Sequence, residues 1–230
     1  MNTQSKLPLF PHDAGTQRKD RKTAADHRRD PKFLRNQFPG VGKWGIPLVR
    51  KQPVDLDNPG LIAFTNTVDN DVENFDLGVH FFVDDYRFEE TYDNPERCLA
   101  RLRQYRFCGT PDFSVYGEMK PWRQMESVAH SRWVGALWQS KGMVVVPTIS
   151  WDDYSSFDYC FDGVEEGCVV AVATYACLQN RAGFLRGYAT MLERIRPAAV
   201  ICYGNPIPGM VGRVLPISSQ NPRELHRELP

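Results

Sequence analysis

The sequence predicts an α/β fold: a parallel sheet with crossover helices, compact and TIM-barrel-like, with an open doubly wound sheet as the alternative. Three observations carry this. Short apolar runs recur between residues 46 and 217, helical patterns lie between several of them, and a polar residue closes nearly every run. Helix following strand, repeatedly, implies parallel pairing, because each crossover returns the chain to the same end of the sheet. Polar run ends favour the barrel-like form, in which functional groups gather at the C-terminal ends of the strands.

The candidate strands are Ile46–Arg50, Leu61–Phe64, Val79–Val83, Phe107–Thr110, Met143–Pro147, Val169–Ala173, Ala199–Tyr203 and, more weakly patterned, Val214–Ile217. Ahead of them, Gly40, Gly42 and Gly45 lie around Pro39 and Pro47. Their spacing is not that of a phosphate loop, so a tight turn leading into the domain is expected. Residues 65–78 read as loop. Asn94, Pro95 and Glu96 supply an N-cap, a first-turn proline and a first-turn acid, and Leu99, Leu102 and Tyr105 follow as an apolar stripe. Pro121 opens a longer helix, with Trp122, Met125, Ala129, Trp133, Ala136 and Leu137 at helical spacing until Gly142 stops it. A third helix covers about 181–196, with Phe184, Tyr188, Met191 and Ile195 on one face.

The 230 residues suffice for one domain with a sizeable core plus tails. The expected organisation is a basic arm over 1–33, a single α/β domain over 34–218 and a tail over 219–230. Formal net charge is zero, yet residues 1–35 hold nine Lys/Arg against four Asp. The arm has no apolar periodicity and reads as disordered or loosely helical. Arg18, Lys19, Arg21, Lys22, Arg28 and Arg29 are its candidate phosphate contacts for weak nucleic-acid binding, with a solubilising tail as the alternative. No apolar run approaches the roughly 20 residues of a membrane span. The N-terminal MNTQSKLPLFPHDAG has no hydrophobic signal region. Membrane and secreted classes are therefore set aside, and a cytoplasmic location is expected. The six cysteines form no C-x-x-C pair, so they read as reduced, buried small hydrophobes rather than a disulfide or zinc framework.

Alternation along a strand sorts side chains onto two faces. In VHFFVDD, Val79, Phe81 and Val83 suit a helix-covered face, leaving His80, Phe82 and Asp84 on the other. The same parity groups Cys108, Thr110 and Asp112; Val144, Val146, Thr148 and Ser150; Val170, Val172 and Thr174; and Ala199, Ile201 and Tyr203. Asp84 and Asp112 are thus the candidate catalytic pair, as general acid and base or as ligands of a divalent cation. The competing reading is that strand-end Asp residues only cap turns. His80 reads as a satisfied core histidine. Arg132 is a candidate anion clamp or a surface residue, and Trp151 and Tyr116 could stack a ring. The acidic run Asp152, Asp153, Asp158 and Asp162 matches no calcium loop, and Arg97, Arg101, Arg103 and Arg106 read as a solvated basic face.

Five blocks carry a family resemblance: GVHFFVDDYRFE (78–89), TPDFSVY (110–116), SRWVGALWQSKGMVVVPTISW (131–151), SFDYCFDGVEEG (156–167) and VAVATYA (170–176). Over about residues 38–205 they resemble a domain-of-unknown-function family of bacteria, their phages and other mobile elements. The resemblance supplies no reaction. It implies that Asp84, Asp85, Asp112, Ser114, Arg132, Trp151 and Tyr203 fall in signature blocks. The chain departs from the family at VATYA, where a Gly is expected near Ala176, and in its basic arm, so substrate and partner stay open.

The expected function is a hydrolase-type enzyme of a phage or mobile-element setting, acting on a nucleotide, nucleic acid or glycosidic substrate. Asp84 and Asp112 are its catalytic candidates. Asp85, Ser114, Tyr116, Arg132, Thr148, Ser150, Trp151, Thr174 and Tyr203 are its substrate-binding candidates. A non-catalytic nucleic-acid-binding accessory protein is the alternative.

Overall fold

The computed structural model describes residues 23–177 and 179–217. Arg18, Lys19, Arg21, Lys22 and the 219–230 tail lie outside the described residues. The chain divides into two compact units, with the boundary between Asn36 and Gln37.

The first unit contains α1 (Ala24–Arg28) and α2 (Pro31–Leu34), neither of which buries a residue. Local caps hold them. Thr23 Oγ1 accepts from the Asp26 amide at 3.1 Å while the Asp26 carboxylate accepts from the Thr23 amide at 2.8 Å, a reciprocal capping box. Asp30 caps α2 through the Lys32 amide, and Pro31 occupies the first turn.

The second unit is a mixed α/β fold with parallel strands. It opens with an antiparallel hairpin of β1 (Gly40–Val41) and β2 (Ile46–Pro47). Gly42 and Gly45 take φ of 69° and 64°, the left-handed conformation that lets so short a connection close. Four parallel strands follow in sequential order: β3 (Leu61–Ala63), β4 (Gly78–His80), β5 (Phe107–Gly109) and β6 (Val145–Val146). A second parallel set contains β7 (Val169–Ala173), β8 (Ala199–Tyr203) and β9 (Val214–Ile217). A parallel bridge between Thr148 and Ala171 links the two sets, so strand order runs sequentially from β3 to β9. No pairing of β9 with β3 is present among the described residues. Parallel pairing and crossover helices are common to the barrel-like and the doubly wound forms.

Between the strands lie α3 (Glu90–Asp93), α4 (Pro95–Leu102), α5 (Pro121–Ser140), α6 (Phe157–Cys160) and α7 (Arg181–Ile195). The three helices expected from periodicity are α4, α5 and α7. Asn94 stands at the start of α4 but its side chain makes no cap bond; Pro95 alone preorganises the first turn. Asn180 does cap α7, its Oδ1 accepting from the Gly183 amide at 3.0 Å. Residues 67–77 connect β3 to β4 without a helix.

Three apolar clusters hold this unit together. Ile62, Val79, Phe81, Cys108 and Val145 pack against Leu102, Trp133 and Trp138 of the α4–α5 layer. Val170, Val172 and Val200 pack against Phe184, Tyr188 and Met191 of α7. The third cluster joins Leu61, Phe82, Phe107, Val146, Ala171, Ile201, Tyr203 and Ile217, one or more residues from nearly every parallel strand. Burying a Leu, Ile, Val or Phe side chain contributes about 1.5–3 kcal/mol each, so these clusters dominate the stability of the sheet.

The clusters correct one expectation. Val79 and Phe81 do face helices, while Phe82, Val146, Ala199, Ile201 and Tyr203 share the third cluster. Cys108, Val170 and Val172, however, face helices as well, and Thr110 hydrogen-bonds Ser131 of α5. The polar strand ends therefore do not share one parity. In a parallel sheet both faces are apolar, so alternation separates two sets without saying which set points inward. Among the described residues, no helix is long and apolar enough to cross a membrane. Five of the six cysteines are buried and Cys177 is half-buried; all six are free thiols.

Candidate functional site

A cleft of about 280 Å³ opens beyond the C-terminal ends of β4–β7. Each strand contributes to it just after pairing ends: Val83 after β4, Asp112 and Ser114–Tyr116 after β5, Ile149–Trp151 after β6, and Ala173 and Tyr175 at and after the end of β7. Phe184 of α7 and Cys177 complete the wall. Five expected site residues thus line one cavity: Asp112, Ser114, Tyr116, Ser150 and Trp151.

Asp112 is the polar centre. Its Oδ1 accepts a hydrogen bond from Ser150 Oγ. No hydrogen bond from the described residues reaches Oδ2 of this cleft-lining carboxyl. Burial raises the carboxyl to about 6; Asp85 nearby raises it too, while the Ser150 bond and Arg132 pull it down. A carboxyl near 6 exchanges a proton at physiological pH, which an ordinary aspartate does not.

Asp85, rather than Asp84, is tied into this centre. Its two oxygens take the Ser114 amide at 3.0 Å and the Ser114 hydroxyl at 2.7 Å. The clamp fixes the 112–116 segment against the turn at 85–87. Asp84 is exposed and does not line the cleft. Its charge acts on Tyr175, whose phenol is raised to about 12 by lost solvation and then by Asp112, Tyr116 and Asp84.

Arg132 is neither a surface residue nor an open clamp, since only 2% of it is exposed. Nη1 donates to the Thr148 carbonyl at 2.8 Å and to Ser131 Oγ at 3.2 Å. Nη2 donates to the Cys160 carbonyl at 3.1 Å, and Nε to that of Asp162 at 3.3 Å. Burial lowers the guanidinium to about 10, leaving it charged at neutral pH. It stitches β6, α5 and α6 together from beneath the cleft. With Asp112, Thr148 and Ser150 it lines a small adjoining cavity of about 10 Å³.

Thr148, Thr174 and Tyr203 are brought near the strand ends but have other occupations. Thr148 Oγ1 donates to the Thr110 carbonyl at 2.8 Å, locking β6 to β5. Thr174 Oγ1 donates to the Asn205 carbonyl at 2.9 Å. Tyr203 is buried, its ring 4.5 Å from His80 and 5.0 Å from Phe82, with Tyr175 edge-on above it at 5.9 Å. His80 is the core histidine expected of it, its Nδ1 accepting from the Phe82 amide at 3.2 Å.

Trp151 forms an aromatic wall, its ring 5.0 Å from Phe184 and 5.9 Å from Phe161. It lies against Gly187 of α7, where a Cβ would fall 2.1 Å from Nε1. Only glycine lets the indole lie so close to the helix. Sequence reasoning missed Tyr175, Cys177 and Phe184. The reading stopped at Thr174, the last residue of the apolar run, whereas a 3₁₀ turn over Tyr175–Cys177 carries the next residues back over the cleft. Among the described residues, no group of three or more His, Cys, Asp or Glu side chains is arranged to hold a metal ion.

Residues 38–218 match the domain of unknown function DUF4417. The chain belongs to this family. The match extends the resemblance seen in residues 38–205 through β9. The Gene 1 protein of Mycobacterium phage L5 is 36% identical over 175 residues, spanning 74% of this chain and 76% of that protein. The Gene 1 protein of Mycobacterium phage D29 is also 36% identical over 175 residues, covering 74% of this chain but only 64% of its own length. No solved structure is significantly similar. The family thus has phage members, and every cleft residue described above lies inside the matched segment.

Proposed function

We propose that the chain is a hydrolase-type enzyme acting on a nucleotide, nucleic acid or glycosidic substrate, with Asp112 as its proton-transfer group. The observation that supports this is the cleft-lining Asp112 carboxyl, held at Oδ1 by Ser150, with no hydrogen bond from the described residues to Oδ2. Fixing one oxygen sets the direction from which the other receives or delivers a proton. In hydrolysis Asp112 would give its proton to the leaving group as the bond to it breaks, and water would add at the other fragment. The proton released by that water would restore the acid. Asp84, exposed and outside the cleft lining, takes no part in this transfer, so Asp112 acts without a paired carboxylate, and Asp85 positions Ser114. Sequential strand order from β3 to β9 and the cluster shared by their side chains favour a barrel-like winding, in which such a site belongs at the C-terminal strand ends.

The test is a hydrolysis screen of nucleosides, nucleotides, oligonucleotides and aryl glycosides with wild type and Asp112→Asn. One class should be turned over with a pH limb near 6, and Asp112→Asn should lose at least about a hundredfold, the lower range for a lost general acid. Undiminished turnover by a folded Asp112→Asn, or no turnover across the panel, would count against the reading. A second reading, a nucleic-acid-binding accessory protein, is favoured by one observation, the nine Lys/Arg within residues 1–35. It requires binding to depend on that arm and to fall with salt.

A further inference from the structure

Among the described residues, those lining the strand-end cleft include no Lys, Arg or His. Arg132, the guanidinium whose charge acts on Asp112, spends Nε and both Nη groups on the Asp162, Thr148 and Cys160 carbonyls, so it has little left to offer an anion. Arg132 apart, the charges that bear on the cleft are acidic: Asp112 within it, Asp85 behind Ser114, and Asp84 acting on Tyr175. A phosphate entering here would meet like charge with no partner. The walls are instead aromatic, with Tyr116 and Tyr175 largely exposed and Trp151 braced by Phe184.

We propose that this cleft receives an uncharged heteroaromatic ring of the nucleobase type, carried as a nucleoside, and discriminates against its phosphorylated forms. This rests on the reading of the cleft as a substrate site and names its substrate class. Aromatic side chains stack on the π-face of a base whatever its sequence identity, and a carboxyl reads a ring N–H or an exocyclic amine. Asp112 Oδ2, which takes no hydrogen bond from the described residues and lies on the carboxyl bonded by the Ser150 hydroxyl, is the group placed to make that bond. A sugar ring alone is a poorer match, because it presents a hydroxyl on most carbons. The Ser114 hydroxyl is already committed to Asp85, leaving few polar side chains to answer them. The volume, about 280 Å³, falls at the small end of ligand pockets and suits one ring system with a modest substituent.

The test is titration calorimetry of the full chain with adenosine, guanosine, cytidine and uridine, each beside its 5′-monophosphate, and with methyl glucoside. At least one nucleoside should bind, with its 5′-monophosphate at least tenfold weaker. Tyr175→Leu and Tyr116→Leu should each weaken that nucleoside severalfold without moving the unfolding midpoint, since both rings are about half exposed or more. A monophosphate that binds as tightly as its nucleoside, binding of the glucoside alone, or no binding at all would overturn the inference. If nucleosides fail while Asp112→Asn still abolishes hydrolysis of a glycoside, the ring class is wrong and the proton-transfer reading stands. If nucleosides bind but Asp112→Asn keeps full turnover, the reverse holds.

Discussion

Replacing Asp112 by Asn tests the electrostatics of the cleft without any knowledge of the substrate. Burial lifts this carboxyl from an ordinary 3.8 to about 6. The native state therefore holds the proton more tightly than the unfolded chain does. Stability from this group is greatest while both states are protonated, below about pH 4, and declines as pH rises until the native carboxyl is ionised above about 6. At 1.36 kcal/mol per tenfold change in proton affinity, the loss amounts to about 3 kcal/mol. Asparagine keeps the shape and can accept the Ser150 hydrogen bond, yet it does not titrate. Whatever constant offset the substitution brings, the variant should gain about 3 kcal/mol on wild type between about pH 3 and pH 8. For a domain of this size that corresponds to a relative midpoint shift of roughly 6–12 °C. Urea unfolding followed by tryptophan fluorescence across that range would measure it. Other titrating groups, such as Asp71 with its lowered pKa, cancel in the difference between the two proteins. Parallel stability curves would refute the argument and remove the physical basis for assigning proton transfer to Asp112.

Arg132→Met removes the donors that serve three backbone carbonyls, and each stranded acceptor costs about 1–3 kcal/mol; denaturant unfolding should show a loss of at least about 3 kcal/mol, and a loss below about 1 kcal/mol would contradict the stitching role. Gly187→Ala drives a methyl into Trp151, so stability should fall by about 1–3 kcal/mol and indole fluorescence should shift as the cleft wall moves; an unchanged spectrum with unchanged stability would show that the wall has slack. Deleting residues 1–32 should change the stability of the second unit by no more than about 0.5 kcal/mol, because α1 and α2 bury no residue. If the arm contacts nucleic acid, the full chain should bind DNA or RNA at about 10⁻⁴–10⁻⁶ M with steep salt dependence, and the truncated chain should not; equal binding by both would move the contact into the domain.

Much of this fold is legible in the chain because its signals are local. Seven of the eight expected strands join the parallel sets, three of them with the expected bounds, since each is a short apolar run bounded by turn residues, whereas the run from Ile46 pairs antiparallel over Ile46–Pro47 only. Pro95 and Pro121 mark where α4 and α5 begin, because a fixed φ acts within one turn of its own position. The location of the cleft follows too, for parallel strands with polar ends converge at their C-terminal side. What sequence could not settle is which group meets which across strands far apart in the chain. Asp84 and Asp85 are adjacent and chemically alike, and only the turn after β4 puts Asp85 on Ser114 and leaves Asp84 in solvent. Arg132 reads as an anion clamp or a surface residue until Thr148, Cys160 and Asp162 close around it. Thr174 and Tyr175 are neighbours, and the 3₁₀ turn decides that the hydroxyl ties two strand ends while the phenol covers the cleft. The raised pKa of Asp112 belongs wholly to tertiary structure, because desolvation is a property of what surrounds a group and not of its neighbours in sequence.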